Sequence, residues 1–145
     1  KNVLILGAGG VVPSIVYALE KSKVKKITIM NRTIEKAEIL GERFKNIEVK
    51  KWGSKVNFDM IINATSIGLS DNDKIDLKFE DAGENKFFYD VIYNPTQTNF
   101  LKEAKKNLHK TENGKMMFIY QAHQAFTLWH KKMPDINDEV INLIK

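Results

Sequence analysis

The sequence predicts an α/β domain: a doubly wound parallel sheet in three α/β/α layers, with extra helices at its C-terminal end. Three observations predict it. Short apolar runs rich in Val and Ile alternate with longer segments of helical spacing, the pattern of βαβ units. The first run ends at Gly7, Gly9 and Gly10, just before a helical pattern. The length, 145 residues, suits one domain, which buries roughly 70% of the surface its unfolded chain exposes.

The elements follow in order. Residues 2–6 form an apolar run ending at Gly7 and read as a buried parallel strand. Over 10–21, Val11, Ile15, Ala18 and Leu19 share a helical face. Pro13 is tolerated there because it falls in the first turn, where its missing N–H has no partner to lose. Residues 27–30 are a second strand. Residues 34–44 are a second helix, with Thr33 placed to cap it. Residues 47–49, 59–63 and 86–92 give three further strands. A helix is expected over 97–108 and a polar connection up to Gly114. The longest helix is expected over 115–131 and a last one over 136–145. Two mostly apolar stripes on the 115–131 helix predict that it is well buried, with Phe118, Phe126 and Trp129 in the core. The acidic loop 70–76 is the expected mobile segment.

Composition narrows the function. There is no cysteine, which excludes disulfides, thiolate metal sites and a catalytic Cys. It suits a reducing compartment, and a cytoplasmic location is expected. No apolar run of about 18 residues exists, so no membrane span is expected. His109, His123 and His130 lack metal-ligand company, so no metal is expected. The net charge of +5 comes from lysines scattered among glutamates. That is the pattern of a solvated face, and no nucleic-acid partner is expected.

The glycines carry more. A strand running into Gly7-Ala8-Gly9-Gly10-Val11 and then a helix is the context of a Rossmann-type phosphate cradle. Gly7 permits a tight turn, Gly9 a close backbone approach, and the helix N-terminus offers N–H groups to a pyrophosphate. Val12 stands where a third Gly or Ala is usual, and Gly10 is expected to supply the closeness instead. A triphosphate P-loop would need Lys-Ser or Lys-Thr after the glycines, where this chain has Val11-Val12.

The second strand ends at Asn31, about 20 residues past the glycines, where an NAD-binding domain has Asp or Glu for the ribose hydroxyl. This chain has Asn31-Arg32-Thr33, with Lys36 one turn on. An amide, a guanidinium, a hydroxyl and an ammonium suit a 2′-phosphate, so the expected cofactor is NADP(H). Asn63-Ala64-Thr65-Ser66-Ile67-Gly68 and Asp90-Val91-Ile92-Tyr93-Asn94-Pro95 follow two later strands. Ligands bind at that edge of such sheets.

Taken together, GAGG, NRT with Lys36, NATS-I-G, DVIYNP with Thr98, and the run GKMMFIYQAHQAF-LW ending at Pro134 occur in one order across about 7–134. The chain resembles the cofactor-binding domain of the shikimate dehydrogenase family. The resemblance implies that Gly7, Ala8, Gly9, Gly10, Val11, Asn31, Arg32, Thr33 and Lys36 bind the dinucleotide. It places Thr65 and Ser66 in the nucleotide cleft, and Val91, Gly114 and Met117 beside the nicotinamide. Tyr93 and Gln121 would reach the shikimate hydroxyls or carboxylate. On residue type alone, Tyr93 fits a cap of the sheet edge, and Gln121 an internal hydrogen bond, equally well. Leu69, Met116 and Lys131 stand where the family often has Met, Gly and Gly.

The implied reaction is reversible NADPH-dependent reduction of 3-dehydroshikimate to shikimate. In the family a Lys–Asp pair in a separate N-terminal substrate domain moves the proton. That domain's motifs do not occur here. The chain is therefore expected to hold cofactor, to contain no catalytic residue and to be inactive alone. Its C-terminal helices would lean on the missing domain, so Ile136, Val140 and Leu143 are expected to be partly bare and a homodimer is possible. The competing classes are a non-catalytic dinucleotide sensor and a quinate/shikimate enzyme with relaxed cofactor use.

Overall fold

The computed structural model describes residues 1–70 and 72–144. Six parallel strands lie in the order β3-β2-β1-β4-β5-β6. They are β1 (Asn2–Leu6), β2 (Lys26–Asn31), β3 (Ile47–Lys51), β4 (Met60–Asn63), β5 (Phe87–Asp90) and β6 (Lys110–Glu112). Helices α1 (Val12–Lys21), α2 (Ile34–Arg43), α3 (Asn99–Lys106), α4 (Lys115–His130) and α5 (Asp138–Leu143) complete the chain, with a 3₁₀ turn at Phe79–Ala82. The strand order reverses between β1 and β4, as in doubly wound sheets.

Both sheet faces are buried, because successive strand residues point to opposite sides. Val3, Ile5, Ile27, Ile29 and Ile62 pack under α1 and α2 through Val12, Val16, Ala37 and Leu40. Leu4, Leu6, Met30, Ile61 and Phe88 face the other way, toward Phe79, Phe100, Leu101 and Ala104. That second face carries an aromatic cluster. Phe88 stacks on Phe79 at 5.5 Å and on His109 at 4.8 Å, and meets Phe58 edge-on at 5.9 Å, geometries that aromatic quadrupoles favour. No helix covers the connection from β3 to β4. Residues 52–59 cross this face as a loop.

Four expectations change. β6 is an added strand inside the stretch read as a polar connection. Its residues, Lys-Thr-Glu, have no apolar signal, and it forms at the sheet edge by pairing with β5. Thr33 occupies the N-cap position of α2, but its side chain makes no capping bond. α4 is not buried: Ile119 is its one buried residue, and Trp129 is 79% and Phe126 42% exposed. Apolar residues on every side of a helix do not say which side is covered. Phe118, at 38% exposure, is likewise outside the core.

The loop 70–76 is tied down at several points. The Asp73 carboxylate accepts from the Gly68 and Ser70 amides, the Asn99 amide donates to the Asp73 carbonyl, and Ile75 is buried. Asp71 lies outside the described residues.

Candidate dinucleotide site

Parallel pairing brings every strand's carboxyl end to one edge. Leu6 is level with Met30 on one side and Asn63 on the other, and Asn63 is level with Asp90. The loops after these strands therefore leave the sheet together. That gathers Gly7–Val11, Asn31–Thr33, Thr65–Ser66 and Val91–Tyr93 along one rim. Gly114, just past β6, caps α4 at the same rim.

Gly7 turns the chain with φ +110°, and a Cβ there would sit 2.6 Å from the Ala64 carbonyl oxygen. Its amide donates to Met30 at 2.7 Å. Gly7 thus fixes where the loop leaves the sheet. Gly9 and Gly10 are exposed, and a Cβ on either would meet nothing within 4 Å. Their open backbone is what a cradle for an approaching phosphate requires. It also corrects the role expected of Gly10. The close backbone approach comes at Gly7 against Ala64, between the chain segments that leave β1 and β4, while Val12 is fully buried and simply joins the core.

Helix α1 begins without a side-chain cap, with Pro at its start and no acidic residue in its first turn. Its N-terminal dipole end is left unopposed by any carboxylate of that turn. At the end of β2, the Asn31 side-chain amide donates to the Thr33 carbonyl at 2.7 Å, which shapes the turn. Arg32, Thr33 and Lys36 are exposed. Among the described residues neither Arg32 nor Lys36 has an ion-pair partner, whereas Lys26 and Lys50 are both held by Glu48. These donors fit a dinucleotide bearing a 2′-phosphate: a bare turn and helix start for the pyrophosphate, then two free cations and a hydroxyl beyond it.

On the other side of the switch point, Thr65 is half-buried and Ser66 exposed. The Thr65 hydroxyl donates to Asn63 Oδ1 at 2.7 Å and accepts from the Ile67 amide at 3.0 Å. Tyr93 stacks on Phe118 with centroids 4.6 Å apart, which joins the loop after β5 to α4. Gln121 lies on α4 one turn beyond Phe118 and is exposed, with no side-chain hydrogen bond among the described residues. Val91 and Met117 are half-buried. Gly114 is buried, and its amide donates to the Ile92 carbonyl at 3.1 Å.

Two polar residues here were not among the expected site residues. Asn63 and Asp90 are each fully buried. Burial pushes the Asp90 carboxyl above its ordinary range, opposed by hydrogen bonds from Thr98, the Ile92 amide and Asn63. Their signal in the sequence is a polar residue closing an otherwise apolar strand. Among the described residues no group of three His, Asp or Glu is placed to hold a metal, and no helix is long and apolar enough to cross a membrane.

The strand order, the glycine turn into α1 and the loops gathered at one edge define a Rossmann-type domain. The family described as Shikimate / quinate 5-dehydrogenase matches residues 1–91, and the chain belongs to it. The shikimate dehydrogenase (NADP(+)) of Pelagibacter ubique is 57% identical over 144 residues, 99% of this chain and 54% of that protein. The crystal structure of shikimate dehydrogenase from Aquifex aeolicus superposes with a TM-score of 0.85 at 32% identity, covering 99% of this chain and 52% of that one. A shikimate dehydrogenase solved in complex with NADP+ gives 0.80 at 38% identity, covering 100% of this chain and 55% of that one. The chain spans about half the length of the relatives it matches.

Proposed function

We propose that this chain is the NADP(H)-holding part of an enzyme that reversibly reduces 3-dehydroshikimate to shikimate. The observation that carries the cofactor choice is the end of β2. It presents an amide, a hydroxyl and two cations, Arg32 and Lys36, without an ion-pair partner among the described residues, where a carboxylate would reject a 2′-phosphate. The name of the Pelagibacter relative and the NADP+ complex of a structural neighbour support the same reading.

In this reading Gly7–Val11 and the start of α1 hold the pyrophosphate. Asn31, Arg32, Thr33 and Lys36 hold the ribose phosphate. Thr65 and Ser66 line the cleft, and Val91, Gly114 and Met117 border the nicotinamide. The cofactor, when bound, supplies the hydride. Tyr93 and Gln121 point the substrate's polar groups toward it. The proton donor belongs to a part of the relatives' length that this chain does not span, so the chain alone binds cofactor and does not turn over.

Calorimetric titration of the chain with NADP+ and NAD+ tests the reading, with a shikimate oxidation assay beside it. Preference for NADP+ and no turnover are expected. Equal binding of the two cofactors would remove the phosphate argument, turnover by the chain alone would remove the division of labour, and no binding would remove both.

A further inference from the structure

The buried pair at the ends of β4 and β5 has a wiring that the cofactor and substrate contacts do not explain. Asp90 Oδ1 accepts from Asn63 Nδ2 and from the Ile92 amide, each at 3.0 Å. Asp90 Oδ2 accepts from the Thr98 hydroxyl at 2.6 Å. Asn63 passes the connection on. Its Nδ2 also donates to the Ile67 carbonyl at 3.0 Å, and its Oδ1 accepts from the Thr65 amide and hydroxyl. Thr98 in turn caps α3 by accepting from the Leu101 amide. Gly68, at the end of the Thr65 loop, has φ +119°, and a Cβ there would lie 3.2 Å from the Thr98 side chain.

One carboxylate therefore fastens the end of β4, the turn after β5 and the start of α3. Burying it is costly unless its lone pairs are met, and here three donors meet them. An apolar residue at position 90 would fill the same space without joining these segments. Asp90 is wholly shielded from solvent, so it cannot touch a ligand, and its effect must pass through the loops it holds.

We infer that Asp90, acting with Asn63, is a positioning residue that sets the Thr65–Ser66 loop and the Val91–Tyr93 loop in register for the nicotinamide half of the dinucleotide. The inference rests on the proposed NADP(H) reading. It divides the site into two halves with different supports. The adenosine half hangs on β1 and β2, to which the two side chains make no hydrogen bond among the described residues, although β4 itself pairs with β1. The nicotinamide half hangs on β4 and β5, which it joins.

The test compares NADP+ with adenosine 2′,5′-bisphosphate, which carries only the adenosine half. In Asp90→Ala, affinity for NADP+ is expected to fall about tenfold or more, with affinity for the bisphosphate unchanged within about twofold. Asp90→Asn keeps an acceptor toward Asn63 and Ile92 and should recover most of the loss. Amide exchange should speed up at Thr65, Ile67 and Ile92 while the β2 amides stay protected. Unchanged NADP+ binding in Asp90→Ala overturns the inference, and so does equal loss of both ligands with β2 still protected.

If Asp90→Ala does not fold, Thr98→Val removes one donor, and the same comparison decides. If the native chain binds neither nucleotide, the cofactor reading fails by itself. Exchange at Thr65 and Ile67 then decides whether Asp90 holds the loops, and unchanged protection there overturns it.

Discussion

Gly114 lies so close to Val91 that a Cβ on it would overlap the Val91 carbonyl oxygen, with the Val91 Cα only 3.1 Å away. The contact is backbone on backbone, at the point where α4 leaves the sheet. Gly114→Ala must therefore shift α4 away from the loop after β5. Overpacking of this kind typically costs about 1–3 kcal/mol. A denaturant midpoint lowered by that amount, with NADP+ affinity also reduced, is expected. An alanine variant as stable as the native chain would show that α4 moves freely there.

On the proposed reading, Arg32 and Lys36 make separate contributions to cofactor choice. Losing one charge-assisted phosphate contact is worth roughly 1.5–3 kcal/mol, so Arg32→Ala should weaken NADP+ by about 10–100-fold. NAD+ binding should hardly move. Parallel titrations check this, and a loss shared equally by the two cofactors contradicts it.

Asp90 gives the chain a pH signature of known sign. Burial raises its folded pKa above the ordinary value. Its contribution to stability is thus fully present below the unfolded carboxylate pKa, about 3.9, and is lost as pH rises through the elevated folded pKa. Native stability should show this downward component across that window, and Asp90→Asn should lack it. Unfolding curves at a series of pH values, differenced between the two proteins, read it directly. A flat difference would mean that Asp90 titrates alike in the folded and unfolded chains.

Lys131 ends α4 in the left-handed region, φ 53°. A residue with a Cβ is disfavoured there by roughly 1–2 kcal/mol, and glycine is the usual choice. Lys131→Gly should stabilise the C-terminal end of α4 by about 0.5–1 kcal/mol, the larger backbone entropy of glycine taking back part of the gain. Slower amide exchange in the last turn of α4 is the readout.

Two helix residues separate core from periphery. Ile119 is 3% exposed, and Trp129 is 79% exposed. Ile119→Ala should cost about 2–5 kcal/mol, while Trp129→Ala should stay within about 0.5 kcal/mol. Thermal unfolding of both variants ranks them. The reverse order would mean that Trp129 is covered in solution.

Much of this was legible in residue order alone. β1, β2 and β4 are short apolar runs ending at Gly7, Asn31 and Asn63, and a buried parallel strand can hardly be written otherwise. The glycine turn and the missing carboxylate after β2 are local, so they could be read in place. What the chain order could not give is whatever depends on a partner distant in sequence. β6 exists because β5 offers it an edge, although its own residues carry no strand signal. The exposure of α4 depends on which faces meet other elements, and a helix apolar on all sides does not say. In the sequence Asn63 and Asp90 each open a motif that follows a strand, with nothing to link the two. Only their register, level with each other on adjacent strands, makes them one buried hydrogen-bonded unit. Sequence determined the glycine turn and the missing carboxylate after β2, because those rest on neighbouring residues. Tertiary structure decided what joins the ends of β4 and β5, because that joint spans 27 positions of chain.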